Sequence, residues 1–316
     1  MAVEEGVAGA ASARPSPARR GWIARHRFEL LLITPLVGYV LVLTIAPILD
    51  TVRLSFSDPD GAGFPSLQSY REVVGTDVFR TAVVNTIIVA LLSLSMELSV
   101  GLAIALALHT KFRGRGLVRT VSLIPLGVPT IVSGAIMLLI FNRSGFLNSL
   151  LFSVADLINN IPGVDWEYRA IGWTVAGGVK SLFVVAFADM WKVLPVVTLI
   201  FLAGLQSIPE DVYEAADVDG ATKWQRFVRI TLPLLIPYFT MALILRAIDA
   251  FRIFELALVL AGGIEPVLGT YIFSRYAPPT NDPYTAAAAS IVLFGIIMLF
   301  IVLYLRFVAR RAEMVA

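Results

Sequence analysis

The sequence lacks cysteine and is poor in histidine and in charged residues. With no cysteine among its 316 residues it can form no disulfide, thiolate metal site or cysteine nucleophile, and two histidines cannot build a histidine-rich metal centre. Only 15% of the residues are charged, against about 25% in ordinary globular domains, and 58% are hydrophobic. So few charges could not cover the surface of a soluble domain, and the composition therefore favours a membrane protein.

Two further absences narrow the function. The formal net charge of +2 is too small to indicate a nucleic-acid-binding protein. No stretch matches the phosphate-binding pattern G-x-x-x-x-G-K-[ST], because the nearest one, around Gly177 and Lys180, has Val179 where a glycine should precede the lysine. We therefore expect no catalytic residue, metal site or cofactor in this chain, and no ATP hydrolysis of its own.

Six apolar runs are long enough to cross a membrane, which takes about 20 residues of helix. Of the lysines and arginines outside these runs, 15 lie on the side that holds both termini and six on the other side. Cytoplasmic loops carry the excess of positive charge, so both termini are predicted to be cytoplasmic. The fold class is thus an all-α polytopic membrane protein with six transmembrane helices. The runs are 30–49, 82–108, 120–141, 181–205, 234–260 and 284–305.

This pattern divides the chain into four parts. Residues 1–27 are predicted to be a disordered cytoplasmic tail, 28–50 a first transmembrane anchor, 82–309 a five-helix core and 310–316 a cytoplasmic tail. Glycines and prolines are expected to break or kink the spans of the core, as they often do where a transport protein opens a cavity. These residues are Pro125, Gly127, Pro129, Pro195 and Pro233.

The cytoplasmic loop after the fourth run carries signals for two short helices. Ser207 with Glu210, and Thr222 with Gln225, have the spacing of helix capping boxes. Between them Gly220 can adopt the left-handed conformation that ends a helix. The sequence therefore predicts two helices joined at this glycine.

Small side chains on the same loop leave room for another protein to approach. The residues beside the glycine have small side chains, namely Ala215, Ala216 and Ala221. The second helix is expected to pack toward the membrane through Trp224 and Phe227. The alternative is an ordinary amphipathic linker with good caps.

The segment 206–233 resembles the EAA loop of membrane permease subunits of binding-protein-dependent ABC importers. The resemblance rests on Glu214-Ala215-Ala216, Asp219-Gly220-Ala221, Ile230, Leu232-Pro233 and Pro237. It implies a type I ABC importer permease fold, in which this loop is a coupling helix that seats in a groove on a separate ATPase subunit. The coupling residues that it implies are Glu214, Ala215, Ala216, Asp219 and Gly220.

A second segment, 249–263, is similar to the carbohydrate branch of that family, which includes maltose, trehalose and glycerol-phosphate permeases. The resemblance implies a second permease subunit, two ATPase subunits that bind ATP and Mg²⁺, and an extracytoplasmic sugar-binding protein or lipoprotein. It also implies a bacterial or archaeal inner membrane, with lipid around the chain and no nucleic-acid partner.

Ionisable residues inside the apolar runs are candidates for a translocation pathway, because a charge at mid-bilayer costs about 2.5–3.5 kcal/mol. At about 1.5 Å of rise per residue, Glu97, Asp189 and Asp249 lie about 17, 24 and 23 Å from the cytoplasmic ends of their spans. Such a layer of charges and aromatic rings could bind a sugar. The candidate pathway residues are Glu97, Asp189, Trp191, Lys192, Asp249, Phe251, Arg252 and Glu255.

Three-residue spacing predicts how these charges pair. Arg246, Asp249, Arg252 and Glu255 alternate in sign along the fifth run, and Asp189 with Lys192 repeats the spacing on the fourth, so neighbours could interact on a helix. The alternative to substrate contact is that the charges pair with one another, or with a partner subunit, and only fix the register of the bundle.

Three functions remain in view. The first is the translocation subunit of an ATP-driven sugar importer that works by alternating access, the sugar being a di- or oligosaccharide. The second is a transporter driven by an ion gradient, or an ABC importer permease for a non-sugar solute such as glycerol phosphate. The third is a polytopic membrane enzyme, for which the sequence offers no histidine-rich, serine–base or paired-acid constellation.

Overall fold

The computed structural model describes residues 26–58, 63–110, 112–161, 164–174 and 177–313. Within these ranges the regular elements are all helical, in agreement with the predicted class. The predicted tail 1–27 lies outside the described residues except for its last two, and 314–316 lie outside them as well. The chain divides into two units, Met1–Thr51 and Val52–Ala316.

The first unit contains the predicted anchor. Helix α1, Arg27–Val40, continues through a π-helical turn, Leu41–Ile45, into α2, Ala46–Ser55, so the helix extends beyond the predicted end at residue 50. The turn lies just before Pro47, which has no N–H to donate to the preceding turn. The stretch Arg27–Ser55 is long and apolar enough to cross a membrane.

The second unit contains the other helices. Three of them, α4, α8 and α15, are 28 residues or longer, and the others are shorter. The helices are α3 Gln68–Gly75, α4 Asp77–His109, α5 Arg115–Leu123, α6 Thr130–Phe141, α7 Phe146–Asn159, α8 Val179–Gln206, α9 Glu210–Val218, α10 Lys223–Arg226, α11 Leu232–Leu234, α12 Ile236–Phe251, α13 Glu255–Ala261, α14 Leu268–Tyr276 and α15 Pro283–Glu313.

Helices α4 and α8 pack along each other and form the centre of this unit. Gly101 of α4 makes their approach close, because a Cβ at this position would lie 2.8 Å from Cγ1 of Val197 on α8. Apolar clusters surround the pair, one toward α12, α14 and α15, one toward α6 and α13, and one at the ends near Leu108 and Leu205. The two helices therefore hold the ionisable side chains that they carry at fixed positions.

The third apolar run is broken as its prolines predicted. Helix α5 ends at Leu123, a 3₁₀ turn covers Ile124–Gly127, and α6 begins at Thr130. The predicted bounds of this span, 120–141, are corrected, because α6 and α7 together form the apolar stretch Thr130–Asn159. Much of the predicted outer loop is therefore helical.

The fifth apolar run is not one continuous helix. Lys223–Leu234 and Ile236–Phe251 meet at an angle of 59°, and the chain leaves helical geometry again at Arg252 before α13. The interruption is packed closely against α14, where a Cβ on Gly269 would lie 2.5 Å from the carbonyl oxygen of Ile253. The predicted span 234–260 is therefore wrong in its outer third.

Counted by length and composition, the described helices supply five candidate spans, or six when the bent pair is one span. This agrees with the six predicted. The five-helix core predicted at 82–309 is longer than expected at both ends, because α4 begins at Asp77 and α15 runs to Glu313, into the predicted tail 310–316.

Candidate functional site

A buried ionic cluster joins three helices of the second unit. Arg246 on α12 donates from Nε to Oε2 of Glu97 on α4 at 2.8 Å, and from Nη2 to Oε1 of the same carboxylate at 3.0 Å. Nη2 also donates to Oδ2 of Asp189 on α8 at 3.1 Å, and Nη1 donates to Oδ2 of Asp249 at 3.1 Å. The side chains of Arg246 and Glu97 are 4% and 0% exposed. One guanidinium thus links the three carboxylates that were predicted to lie at similar depths.

Ser93 completes the cluster from one turn before Glu97. Its Oγ lies 2.7 Å from Oε1 of Glu97 and 2.5 Å from Oδ2 of Asp189. Because a hydroxyl has one proton, it can donate to one of these carboxylates at a time. We did not predict a role for Ser93, although its four-residue spacing from Glu97 places both side chains on the same side of α4.

Lys192 does not form the predicted pair with Asp189. Its Nζ donates to the carbonyl oxygen of Val128 at 2.5 Å instead. Val128 lies in the break between the 3₁₀ turn and α6, where a carbonyl has no partner in a regular helix. The break therefore supplies the acceptor for Lys192, and Asp189 pairs with Arg246 instead.

The cluster borders a cavity of about 360 Å³. Asp189 and Arg246 line it, together with Thr130 at the start of α6. Carboxylates and cations are mixed on its wall, so it can offer both acceptors and donors of hydrogen bonds. The predicted pathway residues that line it are Asp189, Lys192, Asp249, Arg252 and Glu255.

The aromatic part of the predicted pathway is not at this cavity. Phe251 is 2% exposed and packs against Phe300 of α15, with ring centroids 5.2 Å apart, so its ring cannot cover a ligand. Trp191 is half-buried and packs on the apolar cluster that contains Leu182 and Leu256. Neither lines the cavity, and Glu97 lies behind Arg246.

The predicted ladder of four charges on one helix is also corrected. Arg246 and Asp249 interact on α12 as expected, but α12 ends at Phe251, and Glu255 belongs to α13. Arg252 and Glu255 reach the cavity from the interruption and from the first turn of α13. No glycine or proline lies at this interruption, so spacing alone could not reveal it.

The predicted coupling loop forms two helices that meet at Gly220, whose φ is +72°. The second capping box is present, since Thr222 Oγ1 accepts from Gln225 N at 3.3 Å and Gln225 Oε1 accepts from Thr222 N at 2.8 Å. The first is absent. Ser207 Oγ donates back to the carbonyl oxygen of Gly204 at the end of α8 and accepts from Tyr238, so it does not cap α9.

Helix α9 presents two different faces. Glu214, Ala215 and Val218 share one exposed face, where Val218 is 89% exposed. Ala216 is 6% exposed and packs against the rest of the chain. Of Ala215 and Ala216, therefore, only Ala215 presents a small side chain to a partner. Asp219 closes the helix beside Gly220 and is exposed. An exposed valine among carboxylates is a suitable contact for a partner groove.

Trp224, which was predicted to pack the second helix toward the membrane, contacts Phe227 of the same segment. It is 71% exposed, and its ring lies 5.8 Å from the ring of Phe227 at an angle of 36°. Together with Val218 it adds an exposed apolar side chain to this loop.

Residues 98–312 match the family described as binding-protein-dependent transport system inner membrane component. The chain is 36% identical to the trehalose/maltose transport system permease protein MalF of Thermococcus litoralis, over 87% of this chain and 92% of the relative. It is 33% identical to the trehalose transport system permease protein SugA of Mycobacterium tuberculosis strain H37Rv, over 76% and 75%, and 31% identical to the sulfoquinovosyl glycerol transport system permease protein SmoG of Agrobacterium fabrum, over 89% and 90%.

Solved structures show the same architecture. A crystal structure of a bacterial ABC transporter involved in the import of the acidic polysaccharide alginate contains a chain that matches with a TM-score of 0.74 and 22% identity, over 92% of this chain and 97% of that one. This likeness supports the type I permease fold, with multiple membrane spans. The family model and the full-length relatives together show that the chain belongs to the inner membrane components of binding-protein-dependent transport systems, the permease subunits of ABC importers.

Proposed function

We propose that this chain forms part of the translocation pathway of an ATP-driven importer for a di- or oligosaccharide. The observation that carries the proposal is the identity of 36%, along almost the whole chain, with a permease named for trehalose and maltose. The relative named for trehalose supports the same substrate class.

The cavity fits a polyhydroxylated solute. Lys192 and Arg252 can donate hydrogen bonds, and Asp249 and Glu255 can accept them, whereas each sugar hydroxyl can do both. Asp249 has a side chain that is 60% exposed, so it can bind a solute without leaving the cluster that Arg246 holds. We assign these four residues to contact with the sugar, and Glu97 to support of Arg246.

The chain works with other subunits. Its family is defined by dependence on a binding protein, and one related solved structure is a bacterial alginate ABC transporter in complex with an alginate pentasaccharide-bound periplasmic protein. We propose a second permease subunit, two ATPase subunits that bind ATP and Mg²⁺, and an extracytoplasmic sugar-binding protein or lipoprotein, in a bacterial or archaeal inner membrane. This chain has no ATPase site of its own in the proposal, and the loop around Glu214 and Gly220 docks on an ATPase subunit.

The mechanism is alternating access. Closure of the ATPase dimer on ATP moves α9 and opens the pathway toward the binding protein, which releases its sugar into the cavity. Hydrolysis lets the dimer open and turns the cavity toward the cytoplasm. The buried cluster of Arg246 stays intact in the proposal, because separating it would leave Glu97 and Asp189 buried without a cation.

Reconstitution tests the proposal. The complete complex is placed in vesicles, and uptake of labelled trehalose or maltose is measured with and without ATP, and again after an ionophore has removed ion gradients. We expect uptake that needs ATP and the binding protein and is unaffected by the ionophore. Uptake by this chain without ATP would instead support a secondary transporter, and ATP-dependent uptake of glycerol phosphate alone would support a non-sugar permease.

A further inference from the structure

Helix α9 is joined to the chain that follows Gly220 by two side-chain contacts. The hydroxyl of Tyr213 lies 3.1 Å from Oγ1 of Thr231, and Oδ1 of Asp217 lies 2.6 Å from Nη1 of Arg226. Tyr213 and Asp217 are four residues apart and therefore share one face of α9, the face that also buries Ala216. These contacts lie on a different face of α9 from Val218, although the Asp217 side chain is still 60% exposed.

These contacts reinforce a joint that is otherwise spanned by two backbone hydrogen bonds, from Gly220 N to Asp217 O at 3.1 Å and from Ala221 N to Ala216 O at 2.9 Å. Gly220 has a positive φ and no Cβ, so the backbone between α9 and α10 can rotate at this residue with little steric resistance. A force on α9 would then be absorbed by rotation at the glycine. The contact with Arg226 connects α9 to α10 across the glycine. The contact with Thr231 connects α9 to the chain one helical turn later, directly before α11.

Thr231 leads into the span that lines the cavity. It ends the π-helical turn Phe227–Thr231 and leads directly into α11, and α12 follows after the 59° bend at Leu235. Leu235 is fully buried, so a displacement of Thr231 is passed through this packed bend toward Asp249. Thr231 is 5% exposed, which keeps this contact away from water. The path from the exposed face of α9 to the cavity therefore runs through these two contacts.

The ion pair Asp217–Arg226 is expected to be stronger when α9 is docked on a partner subunit than in the free chain. Its side chains are 22% and 60% exposed for Arg226 and Asp217, and a pair so exposed to water contributes little by itself. When a partner subunit covers α9, water leaves the surroundings of Asp217 and the attraction is screened less. The pair is thus weak in the free chain and stronger in the docked state.

We propose that Asp217–Arg226 and Tyr213–Thr231 form a brace, and that these four residues are positioning residues which make α9, α10 and the π-helical turn move as one body. The brace couples movement of the ATPase subunits to the fifth span. It does not itself contact sugar or ATP. The proposal rests on the function proposed above and deepens it, because it names the residues through which energy is transmitted.

The first experiment exchanges the charges of the ion pair in the complete complex in vesicles. Uptake and ATP hydrolysis are measured together, and their ratio gives sugar molecules moved per ATP. We expect Asp217→Arg and Arg226→Asp each to lower this ratio at least fivefold while the ATPase subunits still co-purify. The double variant, in which the pair is reversed, should recover the ratio to within twofold of the original chain.

A matched control separates the loss of the pair from the change of charge. Arg229→Asp makes the same substitution on an exposed arginine of the same segment, and it should leave the ratio unchanged. Tyr213→Phe removes only the hydroxyl that contacts Thr231 and should lower the ratio without any change in charge or assembly.

The absence of cysteine permits a second, independent experiment. Asp217→Cys with Arg226→Cys places the only two thiols of this chain on either side of the joint, provided that the partner subunits carry none. The free dithiol form should be uncoupled like the single variants. A short bifunctional thiol reagent, which replaces the ion pair by a covalent link, should restore uptake per ATP.

Three results would overturn the brace. Unchanged uptake per ATP in both single charge variants would show that the pair transmits nothing, and failure of both the reversed pair and the cross-link to restore the ratio would show that the contact is not the cause. Loss of co-purification in the single variants, with the ratio intact in the complexes that remain, would assign the residues to docking alone. If the unaltered complex shows no ATP-dependent uptake, the proposed function is wrong. The brace is then wrong as well, because it rests on that function.

Discussion

Arg246 satisfies three carboxylates from one position, and its removal would leave at least two of them buried without a cation. Breaking a buried pair in this way costs about 3–5 kcal/mol, because the remaining charge is uncompensated. We therefore expect Arg246→Leu to lower the melting temperature of the purified complex by several degrees. Arg246→Lys should recover only part of the loss, because an ammonium cannot hold Glu97 by two parallel hydrogen bonds.

Arg169→Leu is the matched control for this measurement. Its side chain is 83% exposed and, among the described residues, pairs with Glu167, which is also exposed, so we expect no change in melting temperature beyond about a degree. Equal melting temperatures for Arg246→Leu and the control would contradict a structural role for the cluster.

Asp249 and Asp189 touch the same guanidinium but differ in exposure, and this difference predicts different consequences. Asp249 is 60% exposed and lines the cavity, whereas the Asp189 side chain is 13% exposed. We expect Asp249→Asn to change stability by less than about 1 kcal/mol and to raise the KM for sugar severalfold. Asp189→Asn should reduce both stability and uptake.

Unchanged uptake kinetics in Asp249→Asn would show that this residue has a structural role and does not contact the sugar. Asp156→Asn, an exposed acid on α7 away from the cavity, serves as the control and should leave both stability and KM unchanged.

Residue types predicted the cluster better than they predicted its pairing. Glu97, Asp189 and Asp249 stand out in apolar runs, and their depths could be estimated from helical rise alone. Their partners could not, because Lys192 bonds to a backbone carbonyl that only the broken third span exposes. Phe251 shows the same limit, since an aromatic residue beside charges looks like a ligand contact until its packing against Phe300 is known.

At the scale of helices, Glu265 ties together elements that are remote in sequence. Its Oε1 accepts from the backbone N–H of Gly178, which precedes α8, and its Oε2 accepts from Nδ2 of Asn85 on α4 at 3.0 Å. This accounts for the glycine pair at 177–178, whose resemblance to a phosphate-binding loop was superficial. A carboxylate from the same chain occupies the positive end of the helix.

Glu265→Gln should therefore destabilise the protein. Glutamine has one acceptor oxygen for two donors, and Asn85 is 6% exposed, so a nearly buried donor loses its charged partner at a cost of about 1–3 kcal/mol. Thermal unfolding of the purified complex measures the effect. Glu167→Gln, in which the acid pairs with an exposed arginine, is the control, and an equal change in both variants would contradict the assigned role.

Elements with long, uninterrupted apolar runs were predicted closely, whereas those that depend on tertiary contacts were not. Helices α4, α8 and α15 contain the runs 82–108, 181–205 and 284–305 in full. The breaks at Pro125 and Gly220 followed from local chemistry. The end of α12 at Phe251 did not, because it depends on the close approach of Ile253 to Gly269, which no local pattern records.

In the whole molecule the formal net charge is only +2, but the charged residues are distributed unevenly in two ways. One is the excess of lysine and arginine on the side predicted to be cytoplasmic, and the other is the cluster around Arg246 inside the bundle. Both follow from the low polarity of the membrane, which makes every charge in a span costly unless it is paired. The six predicted spans and the family agree with this arrangement.

The predicted orientation can be tested on intact cells, because this chain has no thiol of its own. Arg113→Cys places a thiol on the side that is predicted to carry the excess of positive charge, and Phe64→Cys places one on the other side, where Phe64 is 68% exposed. A membrane-impermeant thiol reagent should label the cysteine at 64 from outside and the cysteine at 113 only after permeabilisation. The unaltered chain should remain unlabelled in both conditions. Labelling in the opposite order would reverse the assigned orientation and, with it, the assignment of α9 to a cytoplasmic partner.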